Sequence, residues 1–120
     1  MRKIFLFSAW LFFIYSCNWG KNGINLKIKN ASESSVYDVL ISTNDPKINL
    51  KIKSIKSGET VTGFLDMTNN VKSDGNYLIS FKKENGQSEK MSGGYYTNGG
   101  SLDYIIICEI KNDTILMDFK

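Results

Sequence analysis

Apolar and polar residues alternate along most of the chain after residue 23. The segment INLKIKN, residues 24–30, places two isoleucines and a leucine on one face and asparagine and lysine on the other. The segment INLKIKS, residues 48–54, repeats this arrangement. A period of two predicts β-strands with one buried face. Residues 24–120 show no sustained helical periodicity.

Four more segments have strand character, namely SVYDVLIS, ETVTGFLDM, NYLISFKK and YIIICEI. Turn signals separate the segments, among them Asp74-Gly75, Asn85-Gly86 and Asn112-Asp113. Seven or eight short strands in one small domain predict an all-β fold, a small antiparallel β-sandwich. The segment SDGNYLISF resembles the D-G-x-Y entry to a strand in immunoglobulin-like and transthyretin-like domains, which supports this architecture.

Two hairpins allow the strand register to be predicted. A two-residue turn at Asn112-Asp113 pairs Ile110 with Ile115, Cys108 with Met117, and Ile106 with Phe119, all on one apolar face. Asn85-Gly86 is typical of a type I′ turn. That turn would pair Lys82 with Glu89 and would set Tyr77 opposite Gly94.

The first seventeen residues have a different pattern. Arg2 and Lys3 precede an apolar run over residues 4–15 that only Ser8 interrupts. As a helix this run would be about 18 Å long, too short for the hydrocarbon core of about 30 Å, so it is typical of a secretory signal peptide.

The ending Ile14-Tyr15-Ser16-Cys17 resembles the lipobox of bacterial lipoproteins. The resemblance covers residues 1–17 only, and it implies a signal peptide over 1–16 and a Cys17 that carries lipid, palmitate included. Residues 17–23 would then form a lipidated tether before the β-sandwich domain, which the strand pattern predicts over 24–120. The resemblance makes the membrane a partner through Cys17. The alternative is an ordinary signal peptide with an incidental cysteine. In the Gram-negative lipoproteins that this ending resembles, an aspartate after the cysteine typically retains the protein in the inner membrane. Residue 18 is asparagine, so the resemblance implies the periplasmic side of the outer membrane before the inner membrane or the cell surface.

Composition narrows the function. Lys and Arg number 15 against 12 Asp and Glu; without Arg2 and Lys3 the basic count is 13, so the formal charge falls from +3 to +1. This balance argues against a nucleic-acid partner. The chain has no histidine, which excludes Ser-His-Asp and Cys-His catalysis and histidine-ligated zinc. With Cys17 acylated, Cys108 has no disulfide partner and is expected to be buried. The sequence predicts a non-enzyme that needs no cofactor or metal.

Two candidate binding surfaces remain. The segment SGGYYTNGGS contains Tyr95 and Tyr96 between paired glycines; in a strand one ring would be buried and the other exposed. The alternative is a flexible hairpin end. On the outer face of the last hairpin, Ile105, Ile107 and Leu116 form an apolar group. The alternative there is a central strand whose outer side is covered.

These features predict an envelope-anchored module that binds an envelope protein or an incoming toxin, as an inhibitor or immunity protein does. Two alternatives stay open: an assembly accessory that pairs through an edge strand, and a carbohydrate-binding accessory that uses a tyrosine.

Overall fold

The computed structural model describes residues 22–120, which form nine β-strands. The predicted signal peptide, Cys17 and most of the predicted tether lie outside the described residues. The strands are β1 (Gly23–Asn30), β2 (Val36–Ser42), β3 (Asn49–Ile55), β4 (Thr60–Asp66), β5 (Gly75–Lys83), β6 (Ser88–Thr97), β7 (Gly100–Ser101), β8 (Ile105–Ile110) and β9 (Ile115–Phe119).

The strands form two sheets, and the predicted all-β sandwich is confirmed. One sheet has the order β4-β1-β8-β9 and the other the order β3-β2-β5-β6-β7. The strand count exceeds the expected seven or eight, and β7 is only two residues long. Neighbouring strands are antiparallel except β1 and β8, which pair in parallel over residues 25–30 and 105–110. No local pattern predicts this pair, since about 80 residues separate the two strands along the chain.

The core lies between the two sheets and contains the faces that the alternation predicts. Ile24, Leu26 and Ile28 are buried, and Ile48 is buried beside the partly buried Leu50 and Ile52. The lysines that alternate with them are exposed. Burial of these apolar side chains is the main stabilising contribution to such a fold.

The β8–β9 hairpin has the predicted register. Ile110 pairs with Ile115, Cys108 with Met117, and Ile106 with Phe119. Cys108 is 3% exposed, and burial raises the pKa of its thiol to about 11. The thiol is therefore a small core side chain and not a reactive nucleophile.

The predicted register of the β5–β6 hairpin is wrong by one residue. Phe81, not Lys82, pairs with Glu89, and Tyr77 pairs with Gly93. Gly86 has a φ of 86°, whereas Asn85 has no positive φ, so a type I′ turn is absent. Lys83 N–H donates to the Gln87 carbonyl, which closes a three-residue loop over 84–86. A type I turn followed by a left-handed glycine adds the residue that shifts the register.

The loops lie at two ends of the sandwich. We call the amino-terminal end the one that carries Asn22 and the segments 43–48, 67–74, 98–99 and 102–104. The opposite end carries the loops 31–35, 56–59, 84–87 and 111–114. At the amino-terminal end, Asn22 exchanges two hydrogen bonds with Met67: its carbonyl accepts from Met67 N–H at 2.8 Å, and its Nδ2 donates to the Met67 carbonyl at 3.0 Å.

Candidate functional site

Tyr95 lies on the outer face of the five-stranded sheet, near the amino-terminal end. Its side chain is 49% exposed, and its hydroxyl donates to Asp74 Oδ2 at 2.8 Å. The other carboxylate oxygen of Asp74 accepts from Asn98 N–H at 3.0 Å. Both bonds lower the pKa of Asp74, and the bond from Asn98 N–H has the larger effect. The bond to Asp74 in turn raises the pKa of Tyr95. The site thus presents an aromatic ring in a fixed orientation whose hydroxyl is already bonded.

Tyr96 is the buried member of the pair, which corrects its place as a candidate surface residue. It is 2% exposed, and its ring centroid lies 5.4 Å from that of Tyr77. Its hydroxyl accepts from Asn44 N–H at 3.3 Å. Because the segment is a strand, successive side chains point to opposite faces, as expected. Of the two tyrosines, only Tyr95 remains available to a ligand.

The second predicted surface is on the outer face of the four-stranded sheet. Ile105 and Ile107 are half-buried there, and Leu116 is 49% exposed. Ile107 lies between Lys27 of β1 and Asp118 of β9. This is the arrangement expected for a central strand: Ile107 has a charged neighbour on each side, and Ile105 pairs with Asn25 of β1. These three residues share the outer face of the four-stranded sheet, with Ile105 and Leu116 at opposite ends of the hairpin, and Tyr95 lies on the opposite face of the sandwich.

A third surface, which the sequence did not indicate, lies where the two sheets meet along one side. Among the described residues, β9 pairs only with β8, and β6 pairs with β7 only through Tyr96 and Thr97. The edges of β6 over residues 88–93 and of β9 are therefore free of further strands. They border a groove of about 200 Å³, which we call the edge groove.

The edge groove has an apolar floor and a charged rim. Phe81, Met91 and Ile115 contribute the apolar lining, and Met91 is 38% exposed. Lys83 bridges the two hairpins: its Nζ lies 3.2 Å from Glu89 Oε1 and donates to the Asn112 carbonyl at 3.3 Å. The predicted hairpin register pairs Met91 with Ser80 on the outer face, whereas the observed register pairs it with Ile79 on the inner face. That shift explains why sequence reasoning missed the groove.

Residues 22–120 were also compared with the requirements of a metal site and of a membrane-spanning helix. Between residues 22 and 120, no three His, Cys, Asp or Glu side chains are grouped in a way that could hold a metal ion. The same residues include no helix that could cross a membrane.

These features define the protein as a two-sheet β-sandwich with a groove between free strand edges. No protein-family model and no curated protein matches the chain. A solved structure is similar in fold: the NMR structure of a protein from Eubacterium rectale, with a TM-score of 0.55 and 14% sequence identity. The alignment covers 84% of this chain and 91% of that one.

Proposed function

We propose that this is a lipid-anchored protein of the bacterial cell envelope that binds another protein and catalyses no reaction. The observation that carries the binding proposal is the edge groove. A free strand edge presents unpaired N–H and C=O groups that can accept a further strand, and here two such edges border one groove. An extended segment of a partner could pair with an edge while one of its side chains enters the groove.

The composition of the groove favours a protein ligand. Apolar surface rimmed by charged groups is typical of protein interaction sites, and the exposed Met91 offers an adaptable side chain in the lining. The rim contributes Lys83, Lys90 and Lys111 against Glu89 and Asp113. A partner segment with an apolar side chain between polar neighbours would fit this pattern.

The anchor is proposed from the first residues of the chain. The cationic start, the short apolar run and the ending Ile14-Tyr15-Ser16-Cys17 support acylation of Cys17. Several acyl chains hold a protein stably on a membrane, whereas a single chain binds only reversibly. Within this proposal, an inhibitor or immunity role against a toxin and an assembly role in the envelope use the same groove.

The binding proposal is tested by photo-crosslinking in cells. A photoreactive amino acid is placed at Met91 of the full-length protein, and at Tyr95 and Leu116 as exposed controls on the two outer faces. We expect a protein adduct of defined mass from position 91 and none from the controls. An adduct only from position 95 or 116 would move the site to that face. Adducts from none of the three would contradict the protein-binding proposal.

The anchor is tested separately by fatty-acid labelling. Wild-type protein should incorporate labelled palmitate, and Cys17→Ser should incorporate none. A wild-type chain that takes up no label and is released as a soluble protein would contradict the lipoprotein assignment.

A further inference from the structure

The two ends of the sandwich differ in their exposed apolar side chains. At the amino-terminal end, Val71 is 58% exposed, Leu102 is 61% exposed and Tyr104 is 72% exposed. These are the three most exposed large hydrophobic side chains among residues 22–120. The loops of the opposite end read ASESS, KSGE, ENGQ and KNDT, and none contains a large apolar residue. The asymmetry gives one end of the domain an apolar surface.

These three side chains lie on two segments, 67–74 and 102–104, that are each hydrogen-bonded to the start of the described chain. Asn22 is hydrogen-bonded to Met67, four residues before Val71. The backbone N–H and the Nδ2 of Asn25 both donate to the Tyr104 carbonyl, at 3.0 and 3.1 Å. The exposed apolar side chains therefore lie around the place where the chain enters the sandwich.

The length of chain before this place limits its distance from the anchor. Five residue steps separate Cys17 from Asn22, and they reach at most about 18 Å when fully extended. If Cys17 carries acyl chains in a bilayer, the amino-terminal end is the part of the domain held next to the lipid. The opposite end could reach the lipid only if the domain turned over, and the short tether opposes that orientation.

We propose that the amino-terminal end lies against the lipid bilayer, with Val71, Leu102 and Tyr104 inserted at the headgroup level beside the anchor. The inference rests on the acylation of Cys17 proposed above. Tyrosine suits this depth because its ring enters the apolar region while its hydroxyl stays hydrated. Leucine and valine gain by the removal of apolar surface from water. The edge groove, on the side of the sandwich, would then stay open to a partner in solution.

The charges of this end point to apolar insertion over electrostatic attraction. The segments that define this end carry Lys47 and Lys72 against Asp45, Asp74 and Asp103, so basic side chains are not in excess. A surface that binds through charge needs an excess of basic side chains. We therefore expect the same orientation on zwitterionic and on anionic membranes.

The test measures which side chains reach the lipid. The mature lipidated protein, residues 17–120, is reconstituted into phosphatidylcholine vesicles, with and without nitroxide-labelled lipid. A Trp19→Phe background removes the tryptophan that follows Cys17. Single tryptophans then replace Val71 or Leu102, and Leu116→Trp, near the opposite end and 49% exposed, is the matched control. Flotation of the vesicles shows separately that each variant is anchored.

We expect all three variants to float, and the nitroxide lipid to remove most of the indole fluorescence at positions 71 and 102 but none at 116. Phosphatidylglycerol in the vesicles should not change this result. Adding Tyr104→Asp to the Leu102→Trp variant should restore much of the lost fluorescence, since an inserted carboxylate is costly.

Three results would overturn the inference. Floating protein with unquenched indoles at 71 and 102 would leave the anchor intact and assign these loops to another partner. Equal quenching at positions 71, 102 and 116 would show that the domain has no preferred orientation on the bilayer. Protein that neither floats nor takes up fatty acid would remove the anchor and, with it, the inference.

Discussion

The ring of Phe119 occupies the space that a side chain on Gly94 would need. Gly94 also has a φ of 69°, in the left-handed region where residues with a Cβ are strained. The contact joins the edge strand β9 of one sheet to β6 of the other, and Phe119 in turn stacks on Tyr77 with ring centroids 5.8 Å apart. It closes the sandwich beside the edge groove.

Gly94→Ala should therefore destabilise the domain. Left-handed strain and overlap with the aromatic ring together cost about 2–4 kcal/mol of unfolding free energy. The measurement is urea denaturation of the unlipidated chain. Gly86→Ala is the matched control, because Gly86 has a φ of 86° but open space around its Cβ position. It should cost only about 1 kcal/mol. Equal losses in both variants would contradict the packing of Phe119 over Gly94.

Cys108 should make stability depend on alkaline pH. Burial raises the pKa of the folded-state thiol from 9.0 to about 11, so the thiolate is favoured in the unfolded chain. The contribution of the protonated Cys108 thiol to the unfolding free energy is complete below pH 9 and is lost as the pH rises through about 11. We expect unfolding free energy to fall by about 2 kcal/mol more in wild type than in Cys108→Ala over this range. Parallel pH profiles of the two proteins would show that the thiol is not buried.

The bonds to Asp74 predict a graded effect of Tyr95→Phe. Loss of the hydroxyl should raise the pKa of Asp74 but leave it below its ordinary value, because the bond from Asn98 N–H is the larger cause of the lowering. Carboxyl NMR titration of wild type and Tyr95→Phe measures both values. In wild type, the stabilisation from this lowered pKa is present above the unfolded-state pKa and is lost as the pH falls through the folded-state value. A pKa that returns fully to its ordinary value would assign the whole effect to Tyr95.

The outer face of the four-stranded sheet should respond differently at its centre and at its edge. Ile107 is half-buried between Lys27 and Asp118, so a lysine there meets one like and one opposite charge, and Ile107→Lys mainly loses apolar burial, at a cost of about 1 kcal/mol. Leu116 is 49% exposed and pairs with Glu109. Leu116→Lys should change stability by about 0.5 kcal/mol or less. Thermal unfolding of both variants provides the comparison, and a larger loss at Leu116 would indicate that this edge is covered.

The β8–β9 hairpin could be predicted from sequence because two constraints agree there. The apolar alternation in residues 105–110 and 115–119 and the two-residue turn at Asn112-Asp113 fit one register, and the structure has that register. A shift by one residue would turn the inward side chains of one of the two strands to the outer face. Local information was sufficient here because the whole hairpin is local.

The β5–β6 hairpin and the edge groove needed information that the local sequence lacks. Asn85-Gly86 fits both a two-residue and a three-residue loop, and the backbone conformation of Asn85 decides between them. Nothing near the turn fixes that choice. Met91 changes face with the register, so the groove it lines could not be predicted either. The groove also depends on the order of strands within the sheets, which is set by contacts distant in sequence.

The central position of β1 has a mechanical consequence. The strand is held on one side by β4 over residues 23–29 and on the other by β8 over residues 25–30. A pull on the amino terminus along β1 would load both ladders in shear, because their hydrogen bonds lie across the direction of the force. Many bonds would then share the load at once, whereas a strand peeled from an edge loses them one by one. A domain anchored at its amino terminus would therefore resist unfolding when a bound partner pulls against the anchor.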